Sequence, residues 1–89
     1  MNASDLPLQG GNFQLFVQRL GYQALINLGV LENPLTREKT INLEHAEAVL
    51  QDLNMIADKT RGNLAEEEEE HLATVLDQLK GRFREIAES

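Results

Sequence analysis

The chain of 89 residues has no cysteine, no tryptophan, two prolines and a single tyrosine. Without cysteine there is no disulfide framework, thiolate metal site, iron–sulfur cluster or cysteine nucleophile, so stability must come from packing or self-association. No stretch approaches the ~18 consecutive apolar residues of a membrane span. The opening residues MNASDLPLQGGN lack the basic start and apolar run of a secretory signal. Cations are also scarce. Eight Lys and Arg against fifteen Asp and Glu leave a net charge of −7, which repels nucleic acid and anionic lipid unless the cations gather in one patch. The expectation is a cytoplasmic protein with no membrane partner. What is present resembles an ordinary folded domain. Hydrophobic residues at 42% and charged residues at 26% argue against disorder, and the length admits one small core.

Pro7 and the Gly10-Gly11 pair punctuate the start, so residues 1–12 read as a flexible lead-in and 13–89 as a single helical domain. Asn2-Ala3-Ser4 matches a glycosylation sequon but, without an export signal, is read as a chance match. Three helices are predicted. The first runs from Asn12 as N-cap to Gly29 as C-terminal stop, with Phe13, Phe16, Val17, Leu20, Ala24 and Leu28 on one face. Asn33-Pro34 to Thr40 reads as turn and loop, since proline removes a backbone donor and restricts its predecessor. Asn42 caps the second helix, whose face is Leu43, Ala46, Val49, Leu50, Leu53, Ile56 and Ala57 and whose end lies at Gly62-Asn63. The third begins near Glu66 and carries Leu72, Val75, Leu76, Leu79, Phe83 and Ile86 on one stripe, with Lys80, Arg82 and Arg84 in its last turns. Acid at the start and base at the end both suit the helix dipole.

The first helix differs from the other two in having apolar residues on two sides. Leu15, Tyr22, Leu25 and Ile26 fall opposite Phe13, Val17 and Leu20, separated by Gln14, Gln18, Arg19, Gln23 and Asn27, and no carboxylate occurs between them. A helix apolar nearly all round belongs in an interior, and two companion helices can wrap only one side of it. The fold class expected is therefore all-α, a three-helix antiparallel bundle or a helix plus helical hairpin, completed by homo-oligomerisation. Leu15, Tyr22, Leu25 and Ile26 are the expected interface. The alternative is that the first helix lies across the hairpin of the other two and is covered from both sides.

Chemistry has few footholds. Glu68 and His71 have the Glu-x-x-His spacing of di-iron bundles, but the first helix offers no carboxylate to complete a ligand set. The Glu66–Glu70 run is then an acidic first turn favoured by the dipole, and a metal held between chains is the alternative. His45 has no sequence-local serine or cysteine to activate, and no phosphate-binding glycine loop, nucleophile elbow or His-Glu-x-x-His pair occurs. No catalytic residue, cofactor or metal is expected. Arg37, Lys39, Lys80, Arg82 and Arg84 would share one end of an antiparallel bundle and could contact an anion or RNA. No aromatic residue is interleaved for stacking and Glu38 and Glu85 dilute the charge, so nucleic acid is disfavoured. That end could instead meet the acidic end of an antiparallel copy.

Asn33-Pro34-x-Thr36, then Asn42-Leu43-x-x-Ala46, then Asp58-Lys59-Thr60-Arg61-Gly62-Asn63-Leu64 followed by a glutamate run and Leu72-x-x-x-Leu76-x-x-Leu79 form an ordered set of short motifs. This set resembles a small bacterial family classed as a domain of unknown function, over about residues 13–86. The resemblance implies short cytoplasmic helical proteins with no assigned activity, cofactor or catalytic residue. It also implies threonine or serine after the Asn-Leu pair, capping the third helix, where this chain has Ala65; losing such a cap costs about 0.5–2 kcal/mol.

Together these features describe a non-enzymatic, self-associating assembly or adaptor module with the first helix at its interface. Its partner is itself, as a homodimer or higher symmetric oligomer, or another protein. The alternatives are a regulatory factor contacting RNA or a ribonucleoprotein through the basic end, and an inter-chain metal-binding bundle.

Overall fold

A computed structural model of the chain describes residues 11–88. It is all-helical: α1 spans Gly11–Asn27, α2 Leu43–Lys59 and α3 Glu66–Ala87, and no strand occurs among the described residues. The sequon at Asn2 and most of the expected lead-in lie outside those residues. The chain goes up, down and up, so α1 and α3 run the same way and α2 runs against both. All three helices pack on one another around Val17, Ala24, Val49, Leu50, Leu53, Leu72, Leu76 and Leu79.

The faces of α2 and α3 are those the periodicity predicts. Ala46, Val49, Leu50 and Leu53 are buried on α2, and Leu72, Leu76 and Leu79 on α3, with Ile56, Ala57, Val75 and Phe83 packed half-buried at the margins. Asn42 caps α2 by accepting a hydrogen bond from the His45 amide at 3.0 Å. At the other end of α2 the Thr60 hydroxyl donates to the Ile56 carbonyl at 2.7 Å, and Gly62 turns the chain at φ +83°. Ala65 cannot cap α3 with its side chain. Instead its own amide donates to Glu68 Oε1 at 2.9 Å, which is the reciprocal half of a capping box.

α1 departs from the predicted pattern in three places. It begins at Gly11, so Asn12 falls inside the first turn and is not the cap. Its buried line is Gln14, Val17, Gly21 and Ala24, continued by Leu28, while Phe16 is 40% exposed and Phe13 and Leu20 are half-buried. The reason is steric, since small residues at the centre of the seam let α1 approach its neighbours while the bulky side chains straddle it. A methyl group at Gly21 would already lie 3.5 Å from Val75 Cγ1. Gln14 can be buried because its Nε2 donates to the Glu67 carbonyl at 3.0 Å, satisfying an amide that would otherwise cost about 1–3 kcal/mol to bury.

α1 ends as expected at Gly29, with φ +76°. The Gly29 amide donates to the Ile26 carbonyl at 3.1 Å and the Val30 amide to the Leu25 carbonyl at 3.0 Å, the paired bonds of a Schellman motif. Gly29 is required twice over, because a Cβ there would also sit 2.8 Å from Ile41 Cγ1.

Candidate functional site

An open groove of ≈ 680 Å³ lies between α1 and α3. It follows from the same small residues that form the seam. Gly21 contributes no side chain, so the wall of α1 falls back between Gln18 and Leu25. Gly21, Leu25, Val75 and Leu79 give it an apolar part, Tyr22, Thr74 and Gln78 line it beside them, and Asp77, Arg82 and Glu85 add charge along α3. Val30, placed by the Schellman turn, lines its far end. The volume falls in the range of about 300–1,000 Å³ typical of recognition pockets. A surface with this make-up accepts an apolar or aromatic side chain and offers hydroxyl and amide groups to its polar tip.

Of the four expected interface residues, Tyr22 and Leu25 line this groove, and Leu15 and Ile26 are not among its lining. Tyr22 is 59% exposed. Leu15 and Ile26 are half-buried, and so is Leu25, which packs partly against the core cluster. Beyond Arg19, no charged residue lies anywhere on α1.

The five cations sort differently. Arg82 lines the α1–α3 groove, whereas Lys80 and Arg84 line a hollow with Leu50 and Phe83 on the opposite flank of α3. Arg37 and Lys39 are exposed on the loop between α1 and α2. The structure thus divides the cations of α3 between two faces. Of the two residues with metal-ligand spacing, Glu68 is engaged at the start of α3, and His71 lies on the groove wall with its Nδ1 buried and unpartnered. No group of three or more His, Asp or Glu side chains that could hold a metal ion occurs among the described residues.

One structural feature escaped the periodicity: the loop over residues 28–42 has its own order. Its ends are clasped by an isolated antiparallel bridge, Leu28 to Ile41, and by the Asn42 amide donating to the Asn27 carbonyl at 2.6 Å. Inside it, Asn33 Oδ1 accepts from the Leu35 amide at 2.8 Å and Thr36 Oγ1 from the Glu38 amide at 3.3 Å, with Arg37 at φ +61°. These side-chain turns present Leu35, 91% exposed, at the tip. The signal was legible in Asn33-Pro34 and Thr36 as turn formers, but nothing in the pattern of apolar residues marks it.

Residues 11–85 match the family described as a domain of unknown function, DUF1844, and the chain belongs to that family. No curated protein and no solved structure matches it. Among the described residues no helix is long and apolar enough to cross a membrane.

Proposed function

We propose that this DUF1844 member is a cytoplasmic, non-enzymatic module that self-associates through α1 and serves as an assembly or adaptor unit. The observation that carries this reading is Tyr22, an aromatic side chain 59% exposed on a helix of 17 residues whose one charge is Arg19. It shares α1 with half-buried Leu15 and Ile26 and lines the groove between α1 and α3. Burying a large apolar side chain contributes about 1.5–3 kcal/mol, so a partner covering this face recovers a sizeable share of what a domain this small can muster. Contiguous apolar surface of this kind marks interfaces, and a second copy related by a two-fold axis is the commonest way to cover it.

Sedimentation velocity over a range of concentrations tests the reading, with Tyr22→Glu and Ile26→Glu beside the wild type. The wild type should sediment as a dimer or higher oligomer, and both variants should shift to monomer while keeping their helical circular dichroism. A wild type that stays monomeric throughout would refute it.

A further inference from the structure

The groove and the exposed side chain beside it make a self-complementary pair. Tyr22 is a knob, the space between α1 and α3 is a hole, and the two adjoin at Gly21. A two-fold axis across α1 near this level puts each knob into the other copy's hole, closing the assembly at two subunits. The incoming ring would lie over Gly21, Leu25 and Val75, and its hydroxyl would come between Thr74 and Gln78. A buried tyrosine needs such polar company for its hydroxyl.

Charge decides the direction of pairing. Gln14 packs against Glu67 and Gly21 against Val75, so α1 and α3 run in parallel and in step, and the Glu66–Glu70 run lies beside the first turns of α1. A parallel dimer would set two such runs of five glutamates side by side, and like charges so placed repel. An antiparallel dimer separates the two runs and sets each at the level of the other copy's α1–α2 loop, where exposed Arg37 and Lys39 balance exposed Glu32 and Glu38, so the repulsion is removed. We propose that the chain forms an antiparallel two-fold dimer. In it Tyr22 of each copy fills the α1–α3 groove of the other, and the Glu66–Glu70 run lies beside the other copy's loop. This deepens the reading of α1 as the interface and rests on it.

The composition supplies an internal probe. Tyr22 is the only tyrosine and there is no tryptophan, so tyrosine emission reports this one ring. Acrylamide quenching of the wild type should weaken severalfold as concentration carries the protein from monomer to dimer. Because the chain has no cysteine, direction can be read by cross-linking. Mixing Arg37→Cys with Glu67→Cys and adding a short thiol cross-linker should yield the mixed dimer in preference to either homodimer. If the protein dimerises but Tyr22 stays fully quenchable, or if each cysteine variant cross-links to itself and not to the other, the antiparallel groove arrangement is overturned, and sedimentation of Tyr22→Glu and Ile26→Glu decides separately whether association runs through α1. A wild type that never associates overturns both.

Discussion

α1 and α3 meet along one seam but are built on opposite terms. α3 brings large side chains to the core, Leu72, Leu76 and Leu79, and fills its outer face with charge, from Glu66–Glu70 at the start to Lys80, Arg82 and Arg84 near the end. α1 brings Gln14, Val17, Gly21 and Ala24, with no buried leucine within its span, and turns its large apolar residues to the margins and outward. A helix with its oil inside and charge outside is complete once packed. A helix with its smallest residues inside has its bulk left over, and that remainder is the apolar face of Tyr22, Leu15 and Ile26. The exposed face and the close seam are therefore two results of one distribution of side-chain size.

That asymmetry makes the two helices vulnerable to opposite changes. Truncation should damage α3 most. Leu72, 3% exposed, leaves a cavity when replaced, and Leu72→Ala should lose about 2–5 kcal/mol in urea denaturation followed by circular dichroism. A loss under about 0.5 kcal/mol, the size seen at surface positions, would show that α3 does not anchor the core. Enlargement should damage α1 next. Ala24 is fully buried, so Ala24→Leu forces its neighbours apart at a cost of about 1–3 kcal/mol. If that variant were as stable as the wild type, the seam would hold spare room and the account of α1 as a helix of small contacts would fail.

The same distribution explains how much of the molecule could be read from its residues. The stripes of α2 and α3 were legible because leucine and valine recur every three or four positions, and Asn42 and Gly29 announce a helix start and stop by their own stereochemistry. The buried line of α1 was not, because two of its members look wrong for a core. Gln14 reads as polar until the Glu67 carbonyl that accepts its hydrogen bond is known, and Gly21 reads as a weak point until its distance to Val75 is known. Both depend on α3, more than fifty residues away in sequence. The apolar outer face was visible as composition, since Tyr22 and Ile26 have no charged companion but Arg19. The groove was not, because it is a space between two helices and belongs to neither sequence segment. Loop order was half visible: Asn33-Pro34 predicts a turn, yet the clasp of Leu28 on Ile41 is a pairing across the loop that local pattern cannot specify.

The smallest expected effect is the most discriminating. Gly21→Ala adds one methyl group where α1 faces α3, and that methyl lands 3.5 Å from Val75 Cγ1, an ordinary van der Waals separation. Glycine in a helix interior costs roughly 0.5–1 kcal/mol relative to alanine, so the variant should gain about that much, plus a little from the new contact. Gly81, in α3, has nothing within 4 Å of the position a Cβ would take, so Gly81→Ala isolates the backbone contribution alone. Thermal melts of both at a concentration low enough to keep the chain monomeric should show each stabilised by a few degrees, with Gly21→Ala equal to or above Gly81→Ala. A loss at Gly21 beside a gain at Gly81 would mean that α1 and α3 sit closer than a methyl group allows. The small residues of α1 would then be a strict requirement of the seam, and the bulk on its outer face would follow from that requirement with even less freedom.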